Sequence, residues 1–274
     1  MSLVVSIVVV LGAAYAVLVL LAWLLQDRLL YFPDRTLDAD PRVVGLDHRD
    51  VTFNTEDGVT LHGWLVPHAD ARFTVLFCHG NAGDIADRLF TLQVLHDLGL
   101  SVLIFDYRGY GRSEGSPSES GLYADVRAAW RFLVEDEGLP PEHVVVWGRS
   151  LGGAVAADLA RNVRPGGLVV ESTFNRAIDV ARRHYGWLPV GRLLRFRFDA
   201  AEAVAATDVP KLFLHSPDDE VIPYELGTRL YDAAAPPKRR VDLRGGHNDG
   251  FGSSLPTVRG AIGDFLGSLD RARD

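Results

Sequence analysis

Six short apolar runs punctuate the chain, at residues 73–78, 102–105, 144–147, 168–170, 212–214 and 241–243. Between them lie segments with helical periodicity, among them 84–98 and 119–134. The last such segment, 257–269, marks one face with Val258, Ile262, Phe265, Leu266 and Leu269. A strand without a polar side has both faces covered, and helices between strands supply the cover. The pattern predicts an α/β fold with a mostly parallel sheet and helices on both faces. Upstream, residues 50–53 and 59–66 alternate around Glu56-Asp57-Gly58, which predicts an antiparallel hairpin. Eight strands are therefore expected.

One strand is followed at once by Gly148-Arg149-Ser150-Leu151-Gly152 and then by the Ala-rich run 154–160. Strand, Gly-x-Ser-x-Gly and helix together form a nucleophile elbow, which lifts a serine hydroxyl above the sheet. A second copy, Gly111-Arg112-Ser113-Glu114-Gly115, follows the polar Asp106-Tyr107-Arg108-Gly109-Tyr110 and not a strand. After it, Ser116 reads as a helix N-cap, with Pro117 in the first helical position and Glu119 completing a capping box. Ser113 is expected in a turn.

A serine hydroxyl needs a base, a group that orients the base, and donors for an oxyanion. In such a sheet these follow in the order Ser, acid, His at successive strand ends. Behind the strand at 212–214 come Asp218, Asp219 and Glu220, and spacing alone does not choose between the two aspartates. Of nine histidines, only His247 follows the last strand, within Gly245-Gly246-His247-Asn248-Asp249-Gly250. The backbone N–H of Leu151, at the start of the elbow helix, is one oxyanion donor. The second is expected at Asn81, in His79-Gly80-Asn81-Ala82-Gly83 after the first parallel strand. Cys78, the only cysteine, excludes an internal disulfide and reads as a small buried residue.

Residues 3–25 carry no charge. As a helix they would run about 34 Å, enough for a hydrocarbon core of about 30 Å. No basic segment precedes them and the run exceeds an ordinary signal h-region, so an uncleaved anchor is favoured over a signal peptide or a core helix. Trp23 and Tyr31 are expected near the membrane interface. Arg28, Arg35 and Arg42 follow the span and no Lys or Arg precedes it, so the positive-inside rule favours a cytoplasmic catalytic domain. The expected division is an anchor at 1–26, a polar connector at 27–46 and a single catalytic domain at 47–274. A net charge of −8 argues against nucleic acid as a partner. Residues 173–210 are too long for a simple crossover. They interleave Tyr185, Trp187, Phe196 and other apolar residues with Arg182, Arg183, Arg192, Arg195 and Arg197, and a lid over the site is expected there.

His79-Gly80-Asn81-Ala82-Gly83, the Asp106–Gly115 segment, Gly148-Arg149-Ser150-Leu151-Gly152-Gly153, Asp219-Glu220-x-Ile222-Pro223 and Gly246-His247-Asn248 together resemble the α/β-hydrolase superfamily. The resemblance is closest to its membrane-anchored, bud-emergence and depalmitoylase-like branch. It implies an α/β-hydrolase fold with a short lid, Asp219 as the acid and Asn81 and Leu151 as oxyanion donors. Ser216 departs from the glycine frequent in relatives. The expected activity is hydrolysis of a carboxylic ester or thioester through an acyl-enzyme on Ser150, with Asp219 and His247. The substrate would be an acyl ester or thioester, lipophilic by the tether and the aromatic lid, and membrane lipid would be met through the anchor. The rivals are a serine aminopeptidase-type peptidase and a catalytically retired, membrane-tethered scaffold. No H-E-x-x-H motif and no strand–G-x-G-x-x-G–helix unit is present, so neither a metal nor a nucleotide cofactor is expected.

Overall fold

The computed structural model describes residues 2–271; Met1 and residues 272–274, the outer ends of the expected anchor and catalytic domain, lie outside them. Eight strands form one sheet: β1 (Arg49–Asn54), β2 (Thr60–Val66), β3 (Thr74–Cys78), β4 (Ser101–Phe105), β5 (Val144–Arg149), β6 (Gly167–Glu171), β7 (Lys211–His215) and β8 (Lys238–Asp242). Their order across the sheet is β8-β7-β6-β5-β3-β4-β2-β1. β2 is antiparallel to both neighbours, and the other pairs are parallel. The order reverses between β3 and β5, the kind of point at which open α/β sheets bind ligands.

The helices are α1 (Leu3–Leu24), α2 (Gln26–Leu30), α3 (Leu89–Asp97), α4 (Glu119–Arg131), α5 (Leu151–Asn162) and α6 (Ala177–Tyr185). They continue with α7 (Val190–Leu193), α8 (Ala200–Ala205), α9 (Tyr224–Ala233), α10 (Gly250–Ser253) and α11 (Leu255–Arg271). Strand residues alternate between two cores. Val144 and Val146 face one with α4, α5, α8 and α9, while Val145 and Trp147 face the other with α3 and α11. Burial on both sides explains why these strands read as unbroken apolar runs. β8 is the exception. Lys238, Arg239, Arg240 and Asp242 blunt this edge strand, so its hydropathy understates its length.

Three local expectations change. The N-cap of α4 is Ser118, whose side chain accepts from the Gly121 N–H at 3.1 Å, and not Ser116. Glu119 is thereby freed from a capping box. Its carboxylate accepts the Arg197 and Phe198 N–H groups, each at 2.7 Å, and latches the 173–210 excursion to the domain. Within that excursion α6 has no buried residue and α7 buries only Val190. α8 buries Ala200, Ala203 and Val204 in the core as an ordinary crossover helix. Finally, Tyr31 is not interfacial but buried, edge-to-face with Phe196 at 5.7 Å. Phe32 and Pro33 pair in parallel with Ala82 and Gly83, so the segment after α1 is packed against the domain.

Candidate active site

β5 delivers Ser150 to the end of the sheet, and α5 carries the chain straight back beneath it. A Cβ on Gly152 would lie 2.1 Å from the Cys78 carbonyl oxygen, and one on Gly148 would lie 2.1 Å from that of Gly152. Glycine is required at both because backbone, not a yielding side chain, occupies the space. Ser150 itself sits at φ 54°, ψ −120°, a strained position for a residue with a Cβ. Its N–H donates to the Glu171 carbonyl at 2.9 Å, and the Thr173 hydroxyl donates to its own carbonyl at 3.1 Å.

His247 Nε2 accepts from Ser150 Oγ at 3.1 Å, and its Nδ1–H donates to Asp219 Oδ2 at 2.8 Å. The other Asp219 oxygen accepts the N–H groups of Val221 (3.0 Å) and Ile222 (2.7 Å). The turn after β7 thus aims Asp219 inward and leaves Asp218 exposed. The backbone of His247 is held at both ends. Its N–H donates to Glu220 Oε2 at 3.0 Å, and its carbonyl accepts from Arg149 at 2.7 Å. Arg149 in turn lies 3.3 Å from the buried Glu171, which also accepts the Trp147 indole N–H at 3.0 Å. Burial pushes the Glu171 carboxyl up, against the pull of Arg149.

Glu171, Arg149 and Glu220 as supports of His247 are absent from the sequence reading. One signal was available: an acid closing the apolar strand at 168–170 is costly to bury without a partner.

The loop after β3 lies against the elbow, where a Cβ on Gly80 would stand 3.7 Å from Ser150 Cβ. His79 Nδ1–H donates to the Gly80 carbonyl at 2.8 Å, and burial pulls the His79 pKa down to about 3. The Asn81 side chain donates to the Leu30 carbonyl at 2.8 Å, and the Asn81 backbone carbonyl accepts from Phe32 N–H and Tyr110 Oη. The Asn81 and Leu151 backbone N–H groups have no intramolecular acceptor among the described residues. Ser113, by contrast, is consumed by structure. Its hydroxyl donates to the Asp106 carbonyl at 2.6 Å and accepts the His62 N–H at 2.9 Å.

Beside the elbow is an apolar cavity of about 460 Å³, within the size range of small-molecule sites. Leu151 lines it, as do Tyr185, Trp187 and Phe196 of the excursion. Among the described residues no group of three or more His, Cys, Asp or Glu is disposed to hold a metal ion.

A family profile described as the alpha/beta hydrolase fold matches residues 74–236. An uncharacterized Mycobacterium tuberculosis protein is 43% identical over 234 residues, covering 84% of this chain and 83% of its own. A Danio rerio lysophosphatidylserine lipase is 36% identical over 184 residues, covering 60% of this chain and 48% of its own. Among solved structures, a Pyrococcus furiosus esterase aligns with a TM-score of 0.73 at 20% identity, over 87% of this chain and 98% of the esterase. At that identity the likeness speaks for the fold.

Proposed function

Because the chain belongs to the α/β-hydrolase fold family and is a serine hydrolase, we propose that it cleaves carboxylic esters or thioesters of lipophilic acids while anchored in a membrane. The observation that carries this reading is the unbroken chain of hydrogen bonds from Ser150 through His247 to Asp219. His247 Nε2 takes the hydroxyl proton as Ser150 Oγ attacks the acyl carbonyl. The N–H groups of Asn81 and Leu151 receive the oxyanion, aided by the positive end of α5. Asp219 keeps the Nδ1–H tautomer and balances the imidazolium without taking the proton. His247 then protonates the leaving alcohol or thiol. In the second half-reaction it activates the water that clears the acyl-enzyme.

α1 serves as the anchor. It is 22 residues long, has a mean hydropathy of 2.9, and has no buried residue. The positive-inside rule, applied to Arg28, Arg35 and Arg42, favours a cytoplasmic hydrolase domain. In this reading residues 1–26 are the anchor, 27–46 the connector and 47–274 the catalytic domain. Tyr185, Trp187 and Phe196 belong to a lid over the acyl site. The Danio relative, a lysophosphatidylserine lipase, supports a lipid ester as substrate.

The test is labelling of the full chain with a fluorophosphonate, followed by peptide mapping. The label should fall on the peptide carrying Ser150 and vanish in Ser150→Ala. Label on Ser113, or none, would refute the mechanism. Retention in the pellet after alkaline carbonate extraction checks the anchor.

A further inference from the structure

The apolar cavity has a wall that the catalytic domain does not supply. Leu18, Leu21, Ala22 and Leu25, all from α1 or the residue that follows it, line it. Leu151, whose N–H is the proposed oxyanion donor, lines the same cavity. A ligand in this space therefore touches the anchor and the elbow together.

The contact between the anchor and the α6–α7 cap is built, not incidental. Tyr15 Oη donates to the Trp187 carbonyl at 3.0 Å, satisfying a hydroxyl on a helix that otherwise has only apolar neighbours to offer. Gln26, buried, donates to the Leu193 carbonyl at 2.9 Å and accepts the Arg195 N–H at 2.9 Å. The Arg195 guanidinium lies over the Trp23 ring at 5.6 Å. From Tyr15 to Gln26 the helix rises about 16 Å, roughly half a bilayer core. Tyr15 lies near the middle of the Leu3–Leu24 helix, so the α6–α7 excursion follows about half of α1 from its C-terminal end. Trp187 and Tyr185, 58% and 45% exposed, line the same cavity as the α1 residues.

We infer that α1 is a wall of the substrate site as well as an anchor, and that a membrane lipid slides its acyl chain from the bilayer directly into the cavity between α1 and the cap, bringing its ester to Ser150. The inference rests on the proposed acyl hydrolase activity and on the membrane reading of α1. It goes beyond both by making the helix a determinant of chain-length selectivity. The substrate class is a long-chain acyl ester resident in the membrane, with its head group directed out of the bilayer toward the end of the sheet.

The experiment uses the full chain in phosphatidylcholine vesicles, with p-nitrophenyl palmitate dissolved in the bilayer and p-nitrophenyl butyrate added from water. Ala22→Trp fills the cavity from the anchor side. It should lower kcat/KM for the palmitate at least tenfold more than for the butyrate. Ile7→Trp, on the same helix but away from the cavity, should change neither. Palmitate hydrolysis should follow the mole fraction of ester in the membrane, not its bulk concentration. Unchanged palmitate hydrolysis in Ala22→Trp, or dependence on bulk concentration, would overturn the inference. If Ala22→Trp loses both activities, Ala22→Leu decides: a palmitate-selective loss supports the wall, and an equal loss or none refutes it. Failure of the underlying hydrolase reading is separate, because it appears in the wild-type chain as absent fluorophosphonate labelling at Ser150.

Discussion

Asp219→Asn isolates what the carboxylate does for His247. Asp219 Oδ1 accepts two backbone N–H groups, from Val221 and Ile222. An asparagine must keep its carbonyl oxygen there, since turning its NH2 to that side would leave two buried donors unpaired at about 1–3 kcal/mol each. The amide nitrogen is therefore forced toward His247 Nδ1, where the carboxylate now accepts at 2.8 Å. Two donors cannot share that position. The imidazole answers by moving its proton to Nε2, the atom 3.1 Å from Ser150 Oγ. The base then points a hydrogen at the hydroxyl it should deprotonate. A wrong tautomer of this kind lowers kcat about 10⁴-fold, or about 5 kcal/mol at 1.36 kcal/mol per decade. The measurement is kcat and KM on p-nitrophenyl butyrate beside a thermal melt. KM should stay within a fewfold and the melting temperature within a few degrees. A variant retaining more than a tenth of kcat would refute the assignment of the tautomer to Asp219.

Two further outcomes separate structural from chemical roles. Ser113→Ala removes the bridge between the Asp106 carbonyl and the His62 N–H, so it should cost about 1–3 kcal/mol of stability. Esterase activity measured below the lowered melting temperature should remain within twofold of wild type. Burial, aided by the Asp84 charge, raises the Asp106 carboxyl to about 8. The folded state thus binds more protons than the unfolded state, whose aspartate titrates near about 3.9. Stability should fall as pH rises from about 4 to about 8. Asp106→Asn should flatten that slope in melts taken between pH 5 and 8, and an unchanged slope would rule Asp106 out as its source.

What was legible in the chain is local. The strands at 73–78 and 144–147 show as apolar runs because both faces of the inner sheet are covered. The choice of Ser150 over Ser113 rests on what directly precedes each copy of the motif, a strand in one case and a polar loop in the other. The charged edge strand β8 is legible only at its end, because exposure at a sheet edge permits Lys238, Arg239 and Arg240. The cap of α4 misleads because Ser116 and Ser118 are equally good capping residues in sequence. The choice falls to Glu119, whose carboxylate is drawn away by N–H groups 78 and 79 residues downstream.

Residue order and side-chain chemistry alone determine an α/β sheet, an elbow with a serine on it, an acid and a histidine in sequence behind it, and a helix long enough to cross a membrane. Tertiary structure decides which of two adjacent aspartates turns inward, because two backbone N–H groups after β7 bind one of them. It decides that Arg149 and Glu220 clamp the backbone of His247, since only the order of strands brings residues 149, 220 and 247 to one end of the sheet. It also joins residue 15 to 187 and residue 26 to 193. Hydropathy reports how apolar α1 is and cannot report what it touches. For that reason the helix reads as a tether in sequence, while in the fold it closes a cavity beside Ser150.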